Sequence, residues 1–176
     1  MKDLDFFTWR RDCSLRFQEL TCAAEVYQEL ERQTQALEFD YYALCVRHPV
    51  PFTRPKISLQ TTYPKLWMAQ YQSANYFAID PVLKPENFIQ GHLPWTDALF
   101  AEAQELWHSA QDHGLRSGIT QCLMLPNHAL GFLSVSRTRV QEGPLAHEEI
   151  ELRLQMLVQM ALTSRMRVDD KKVKTT

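Results

Sequence analysis

Three aromatic residues that carry a hydrogen-bonding group, Tyr63, Trp67 and Tyr71, follow one another at intervals of four in YPKLWMAQY. Beyond them the apolar run NYFAI delivers a single carboxylate, Asp80, into Pro81. Tyrosine and tryptophan join a large apolar face to a polar tip. An ionised aspartate can only accept, so inside such a wall it needs a donor, and Lys84 is its nearest cation in sequence. A ligand amide N–H would supply that donor, while the Trp67 indole N–H or a tyrosine hydroxyl would donate to ligand carbonyls. The chemistry is that of a pocket for a small molecule, mostly hydrocarbon, with one polar end. A charge-assisted bond of this kind is worth roughly 1.5–3 kcal/mol. Each ligand methylene buried beside Leu59, Phe77, Trp95, Phe100 or Trp107 adds about 0.8 kcal/mol, so the tail supplies much of the affinity and the head sets orientation. Aromatics at helical spacing also pack ordinary cores, and an aspartate before proline also serves turns and caps. Spacing alone leaves that plainer reading open.

Other chemistries find no footing. Histidines 48, 92, 108, 113, 128 and 147 form neither HExxH nor a Cys/His ligand spacing, and His113 before Gly114 reads as a helix end. Ser134 and Ser136 lie in LGFLSVSR, which is not a nucleophile elbow, and no triad assembles from local sequence. No glycine-rich phosphate loop is present, and no histidine is committed as a haem ligand. No catalytic residue, metal ligand or cofactor is therefore expected. Cys13, Cys22, Cys45 and Cys122 lack a CxxC pair and read as buried thiols. A net charge of -2 argues against this domain gripping a polyanion, and says nothing about a DNA-binding module elsewhere in a longer chain.

The elements that must position these groups are legible in outline. Phe6, Trp9, Cys13, Phe17 and Leu20 predict an amphipathic helix over about 4–18. Thr21 is suited to cap a second, with Val26, Leu30 and Leu37 on its face. Strands are expected at Tyr41–Arg47 and Ile57–Thr61, around the proline-rich loop from His48 to Pro55. Pro64 opens a helix that carries Trp67 and Tyr71 about 40° apart on one stripe, with Tyr63 at its threshold. Pro81, Pro85, Gly91 and Pro94 break the next stretch into a long wrapped connection with a short turn or two. A helix over about 97–112 ends at Gly114 as a C-terminal cap. Ile119–Leu125 and Gly131–Arg137 form a hairpin around Pro126-Asn127-His128. The last helix, roughly Glu148 to Met166, repeats Ile150, Leu154, Leu157, Ala161 and Leu162, and a charged tail runs from Asp169 to Lys174. At 176 residues the chain suits one α/β domain, an α/β/α sandwich whose central antiparallel sheet of about five strands is covered by helices on both faces. No apolar stretch nears a membrane span, and MKDLDFFTWRRD lacks a secretory core, so no membrane partner and a cytoplasmic location are expected.

The segments DFFTWRR, FDYYALCVRHPVPFTRPK, YPKLWMAQYQSANYFAIDPVL, QGHLPWTDALF, HGLRSGITQ and LPNHALGFLS resemble the autoinducer-binding domain of LuxR-type quorum-sensing regulators, nearest to an enterobacterial subgroup. The combination of Trp67, Tyr71, Asp80-Pro81, Trp95 and Gly118 carries the resemblance, which covers essentially the whole chain. Members bind N-acyl-homoserine lactones. The resemblance implies that Trp67 donates to the lactone carbonyl and Asp80 accepts the amide N–H. It implies further that Tyr63 and Ser134 hold the acyl carbonyl, with Tyr71 and Trp95 packed around the ring. Ala43 stands where close relatives can carry serine, so a hydroxyl contact to an acyl-chain substituent is absent. Leu59 keeps the wall aliphatic where an aromatic also occurs in the family. Family regulators continue into a helix-turn-helix domain. By that likeness residues 1–168 form the autoinducer-binding domain and 169–176 start a linker, in the sensing part of a longer transcription factor that reads DNA elsewhere. The expected partner is a small acyl-homoserine lactone, and the apolar last helix leaves a homodimer open. A hydrolase acting on acyl lactones or amides stays open as an alternative, as does a sensor for another small molecule.

Overall fold

Period-two alternation makes each strand two-faced, and the two faces here bury different kinds of side chain. The computed structural model describes residues 5–48, 56–88, 91–126, 128–140 and 146–174, leaving aside the side chains at 56 and 171–174. In chain order the elements are α1 (Phe6–Glu19), α2 (Ala23–Ala36), β1 (Tyr41–His48), β2 (Lys56–Thr61) and α3 (Lys65–Ser73). They continue with β3 (His92–Pro94), α4 (Gln104–Asp112), β4 (Ser117–Met124), β5 (Leu130–Arg137) and α5 (His147–Lys174). Short 3-10 turns at Tyr76–Ala78, Pro81–Leu83 and Pro85–Asn87 fill the connection after α3. The five strands form one antiparallel sheet in the order β2-β1-β5-β4-β3.

On one face Tyr42 and Leu44 of β1, Ile119 of β4, and Leu133 and Val135 of β5 meet Trp9, Phe17, Leu30, Leu154 and Leu157 from α1, α2 and α5. The alternate strand residues, Ala43, Cys45 and Ser134, face α3, α4 and the 3-10 turns. The register sets Ser134 between Ala43 and Thr120, and Cys45 opposite Leu59. The expected α/β/α sandwich is thus the observed one.

Local chemistry sets the element ends. Asp5 caps α1 by accepting from the backbone N–H groups of Phe7 and Thr8, both at 3.0 Å. The N-cap of α2 is Cys22, not Thr21, and Cys22 makes no side-chain cap bond. Thr21 instead donates its backbone N–H and hydroxyl to Glu25 at 3.2 and 2.7 Å. Cys22 is exposed and Cys122 only partly buried, so of the four cysteines read as buried thiols Cys13 and Cys45 are buried. Pro64 is the N-cap of α3, so the helix proper starts at Lys65, one residue later than expected. Gly114, at φ +93°, follows α4 as anticipated and donates its N–H to the Gln111 carbonyl.

Three boundaries differ from expectation. The helix expected from about 97 begins only at Gln104, and residues 97–102 are turns. β3 lies in the stretch read as a wrapped connection and pairs with β4. α5 continues past Met166 to Lys174. Its Ser164 hydroxyl and Arg167 guanidinium donate to the Phe17 carbonyl at 3.1 and 2.8 Å, which ties α5 to the end of α1. Residues 49–55 of the proline-rich loop and Asn127 of the hairpin turn lie outside the described residues. Among the described residues no helix is long and apolar enough to cross a membrane.

Candidate functional site

Between the sheet and the α3/α4 layer lies a narrow apolar cavity, with about 60 Å³ open to the centres of water-sized spheres. All eleven residues singled out from sequence line it. Ala43 comes from β1, Leu59 from β2 and Ser134 from β5. Trp67 and Tyr71 come from α3, with Tyr63 just before it. Phe77 and Asp80 sit on and between the 3-10 turns. Trp95 follows β3, Phe100 lies in the turns before α4, and Trp107 is on α4. Cys45, Met68, Val82, Leu83, Leu106, Ala110 and Leu115 complete the wall and were missed. Cys45 was within reach, since it lies two residues from Ala43 on the same strand face. Leu106 and Ala110 share one helical face of α4.

Asp80 is buried at 7% exposure and already holds two donors. Its Oδ2 accepts from the Tyr71 hydroxyl at 2.5 Å and its Oδ1 from the Val82 N–H at 3.1 Å. Burial pushes the carboxyl up to about 6, against the pull of those bonds and of Lys84. Burial and the adjacent Asp80 charge push the Tyr71 hydroxyl well above its ordinary value, which keeps it a donor. Burial, then Asp80, raises the Cys45 thiol to about 12. A carboxylate offers about four lone-pair sites, so Asp80 retains acceptor capacity toward the cavity.

The tryptophans divide sharply. Trp9 donates its indole N–H to Gln33 at 3.2 Å, Trp95 to Thr120 at 2.9 Å and Trp107 to Asp97 at 2.7 Å. The Trp67 N–H has no partner among the described residues, although the side chain is buried. Its ring is wedged by Tyr71 and Tyr76, each 5.8 Å away between centroids, and by His113 at 5.3 Å. It is a rigid donor that lacks an acceptor.

The sheet side sets a small cluster of hydroxyls beside an otherwise apolar wall. Ser134 and Thr120 are hydrogen-bonded at 2.7 Å, and the Tyr63 hydroxyl faces Ser134. The Trp95 ring lies flat on Gly118, where a Cβ would fall 2.6 Å from a ring carbon. Phe100 stacks on Trp107 with centroids 4.4 Å apart. Among the described residues no group of three or more His, Cys, Asp or Glu is placed to hold a metal. His113 closes α4, with Nδ1 2.7 Å from the Ser109 carbonyl oxygen, as a helix-end residue should.

The chain matches the family described as "Autoinducer binding domain" over residues 23–164. It is 58% identical over 175 residues to the regulatory protein SdiA of Escherichia coli strain K12, spanning 99% of this chain and 73% of that protein. It is 37% identical over 158 residues to the HTH-type quorum-sensing regulator RhlR of Pseudomonas aeruginosa, spanning 90% of this chain and 66% of that one. A solved structure of SdiA in complex with octanoyl-rac-glycerol superposes with a TM-score of 0.91 at 58% identity, over 96% of this chain and 69% of that chain.

Proposed function

We propose, from the premise that this chain belongs to the autoinducer-binding domain family and is the ligand-sensing domain of a LuxR-type regulator, that its cavity seats an N-acyl-homoserine lactone by the head group. The observation that carries this reading is the unpartnered Trp67 N–H in the same apolar cavity as the buried Asp80 carboxylate. One is a donor without an acceptor, and the other is an acceptor with capacity left. A lactone carbonyl satisfies the first and an amide N–H the second. Tyr63 and Ser134 then hold the acyl carbonyl. Tyr71 and Trp95 pack around the ring, and Tyr71 also anchors the carboxylate. Ala43, Leu59, Phe77, Phe100 and Trp107 surround the hydrocarbon.

A related ligand class fits the same groups. The relative's structure holds an octanoyl glycerol, whose ester has no N–H. A glycerol hydroxyl would serve as the donor to Asp80 in its place. What the cavity requires is therefore an acyl chain whose head offers both an acceptor and a donor.

The site binds without turnover. The Ser134 hydroxyl meets another hydroxyl rather than a base, and a Cys45 thiol at about 12 stays protonated at neutral pH. Signalling then depends on a helix-turn-helix domain after residues 169–176, acting in a cytoplasmic homodimer, with residues 1–168 as the sensor.

Titration calorimetry of Asp80→Asn with N-octanoyl-homoserine lactone tests the assignment. Exchanging a charged acceptor for a neutral one should weaken binding about tenfold while the fold is kept. Unchanged affinity would remove Asp80 as the amide acceptor. Ring opening by substoichiometric protein would overturn the purely binding role.

A further inference from the structure

We infer that Thr120, which does not line the cavity, is a positioning residue that aims the Ser134 hydroxyl and so makes that end of the cavity demand a ligand acceptor. The inference rests on the reading of the cavity as an acyl-homoserine lactone site.

Proton bookkeeping at three side chains leads to it. An indole N–H can only donate, so the Trp95–Thr120 bond uses a lone pair of the Thr120 oxygen. Thr120 is fully buried in β4, and its side-chain partners among the described residues are Trp95 and Ser134. Its own hydrogen therefore has one acceptor, the Ser134 oxygen 2.7 Å away. Geometry alone would let either hydroxyl donate across that contact. A hydroxyl oxygen can accept twice, so it is the want of any other acceptor for the Thr120 hydrogen among the described residues that gives the relay one direction, from Trp95 through Thr120 to Ser134. Ser134 must then send its hydrogen elsewhere, and the remaining polar group beside it is the Tyr63 hydroxyl. Whichever of Ser134 and Tyr63 donates to the other, one hydroxyl hydrogen is left without an acceptor among the described residues. It falls where the acyl carbonyl is proposed to lie.

The relay also separates the two ends of the head group. Asp80 requires a donor from the ligand, and the Ser134–Tyr63 end requires an acceptor, so a reversed amide is penalised at both. Rigid positioning of Trp95 on Gly118 keeps the start of the relay in place.

The test is a cycle of Thr120→Val, Ser134→Ala and the double variant, read as the dissociation constant for N-octanoyl-homoserine lactone. Each single variant should weaken binding roughly five- to tenfold, the usual worth of one hydrogen bond. The double variant should be no weaker than Ser134→Ala, because Thr120 acts through Ser134. Thr120→Ser keeps the hydroxyl and should bind within about twofold of the parent. Thr120→Ala, which cannot overpack, should repeat the loss if Thr120→Val folds poorly. Multiplying losses in the double variant, or parental affinity in Thr120→Val and Thr120→Ala, would overturn the inference. Failure of the parent to bind the lactone at all would instead overturn the functional reading beneath it.

Discussion

Asp80 is held ionisable in a place that resists ionisation, and this gives the site a pH dependence with a definite sign. Its folded pKa, about 6, lies above the ordinary 3.8. Below the unfolded value the carboxyl is neutral in both states, and no ionisation cost falls on the fold. Between 3.8 and about 6 the unfolded chain gives up this proton while the folded group keeps it, so the empty domain loses that share of stability, fully by the time pH has passed about 6. A ligand N–H favours the ionised form, so binding near pH 6 should release a proton. Affinity should fall as pH drops through 6 and then level off, the whole loss being about the tenfold expected of a neutral acceptor. Calorimetry in two buffers of different ionisation heat would measure the proton release, and constant affinity from pH 5 to 7.5 would contradict it. Trp67 is open to a separate test, because Trp67→Phe keeps an aromatic ring and deletes the donor. Its loss, roughly five- to tenfold, should appear with the lactone and vanish with an analogue lacking the ring carbonyl. Equal losses with both compounds would assign Trp67 to packing.

At the scale of elements, the cavity face depends on close approaches that secondary structure alone does not require. The Trp95 ring is pinned by its bond to Thr120 and lies against the Gly118 backbone. Gly118→Ala should therefore displace the ring instead of being absorbed. The expected cost is about 1–3 kcal/mol of stability, as for other overpacked sites, together with weaker ligand binding. Urea unfolding would measure the first and titration the second, and parental values in both would show that the ring can retreat. The stretch before α4 illustrates the same control. Phe100 and Trp107 read as one helix from sequence, yet seven helical residues rise about 10.5 Å. Their 4.4 Å stack is incompatible with that rise. The segment breaks into turns, so that Phe100 stacks on the Trp107 ring and Asp97 reaches its N–H. β3 leaves no periodic signal in the sequence for a related reason. A three-residue edge strand ending at Pro94 has too little sequence for a period, and the sheet edge tolerates the missing donor.

Across the whole molecule the sheet separates two kinds of core. The α1, α2 and α5 side is filled by aliphatic and aromatic side chains around Leu154 and Leu157. The α3/α4 side encloses the cavity, whose apolar wall lacks partner atoms until a ligand tail fills it. Ligand should therefore act on global stability by mass action, adding about 2.7 kcal/mol at a hundred times its dissociation constant. For a chain of this size that corresponds to a rise in melting temperature of roughly 5–10 °C. Melts with and without N-octanoyl-homoserine lactone would measure it, and coincident transitions at saturation would count against a cavity completed by ligand.

The α/β/α sandwich, the wall aromatics and the place of Asp80 among them follow from short-range signals. Period 3.6 on α3 aligned Trp67 with Tyr71, while Ala43 and Ser134 came from the family likeness alone. The likeness of whole segments to a known family supplied the roles that spacing left open. Which polar groups satisfy one another was not legible, because that depends on what lies across the cavity. Tyr71 read as ring packing, and the fold also makes it the donor that holds Asp80. The four tryptophans are chemically equal donors in the chain. Only tertiary structure gives three of them internal acceptors and leaves the Trp67 N–H to the cavity, since a hydrogen bond needs its two atoms within about 3 Å regardless of their separation in sequence.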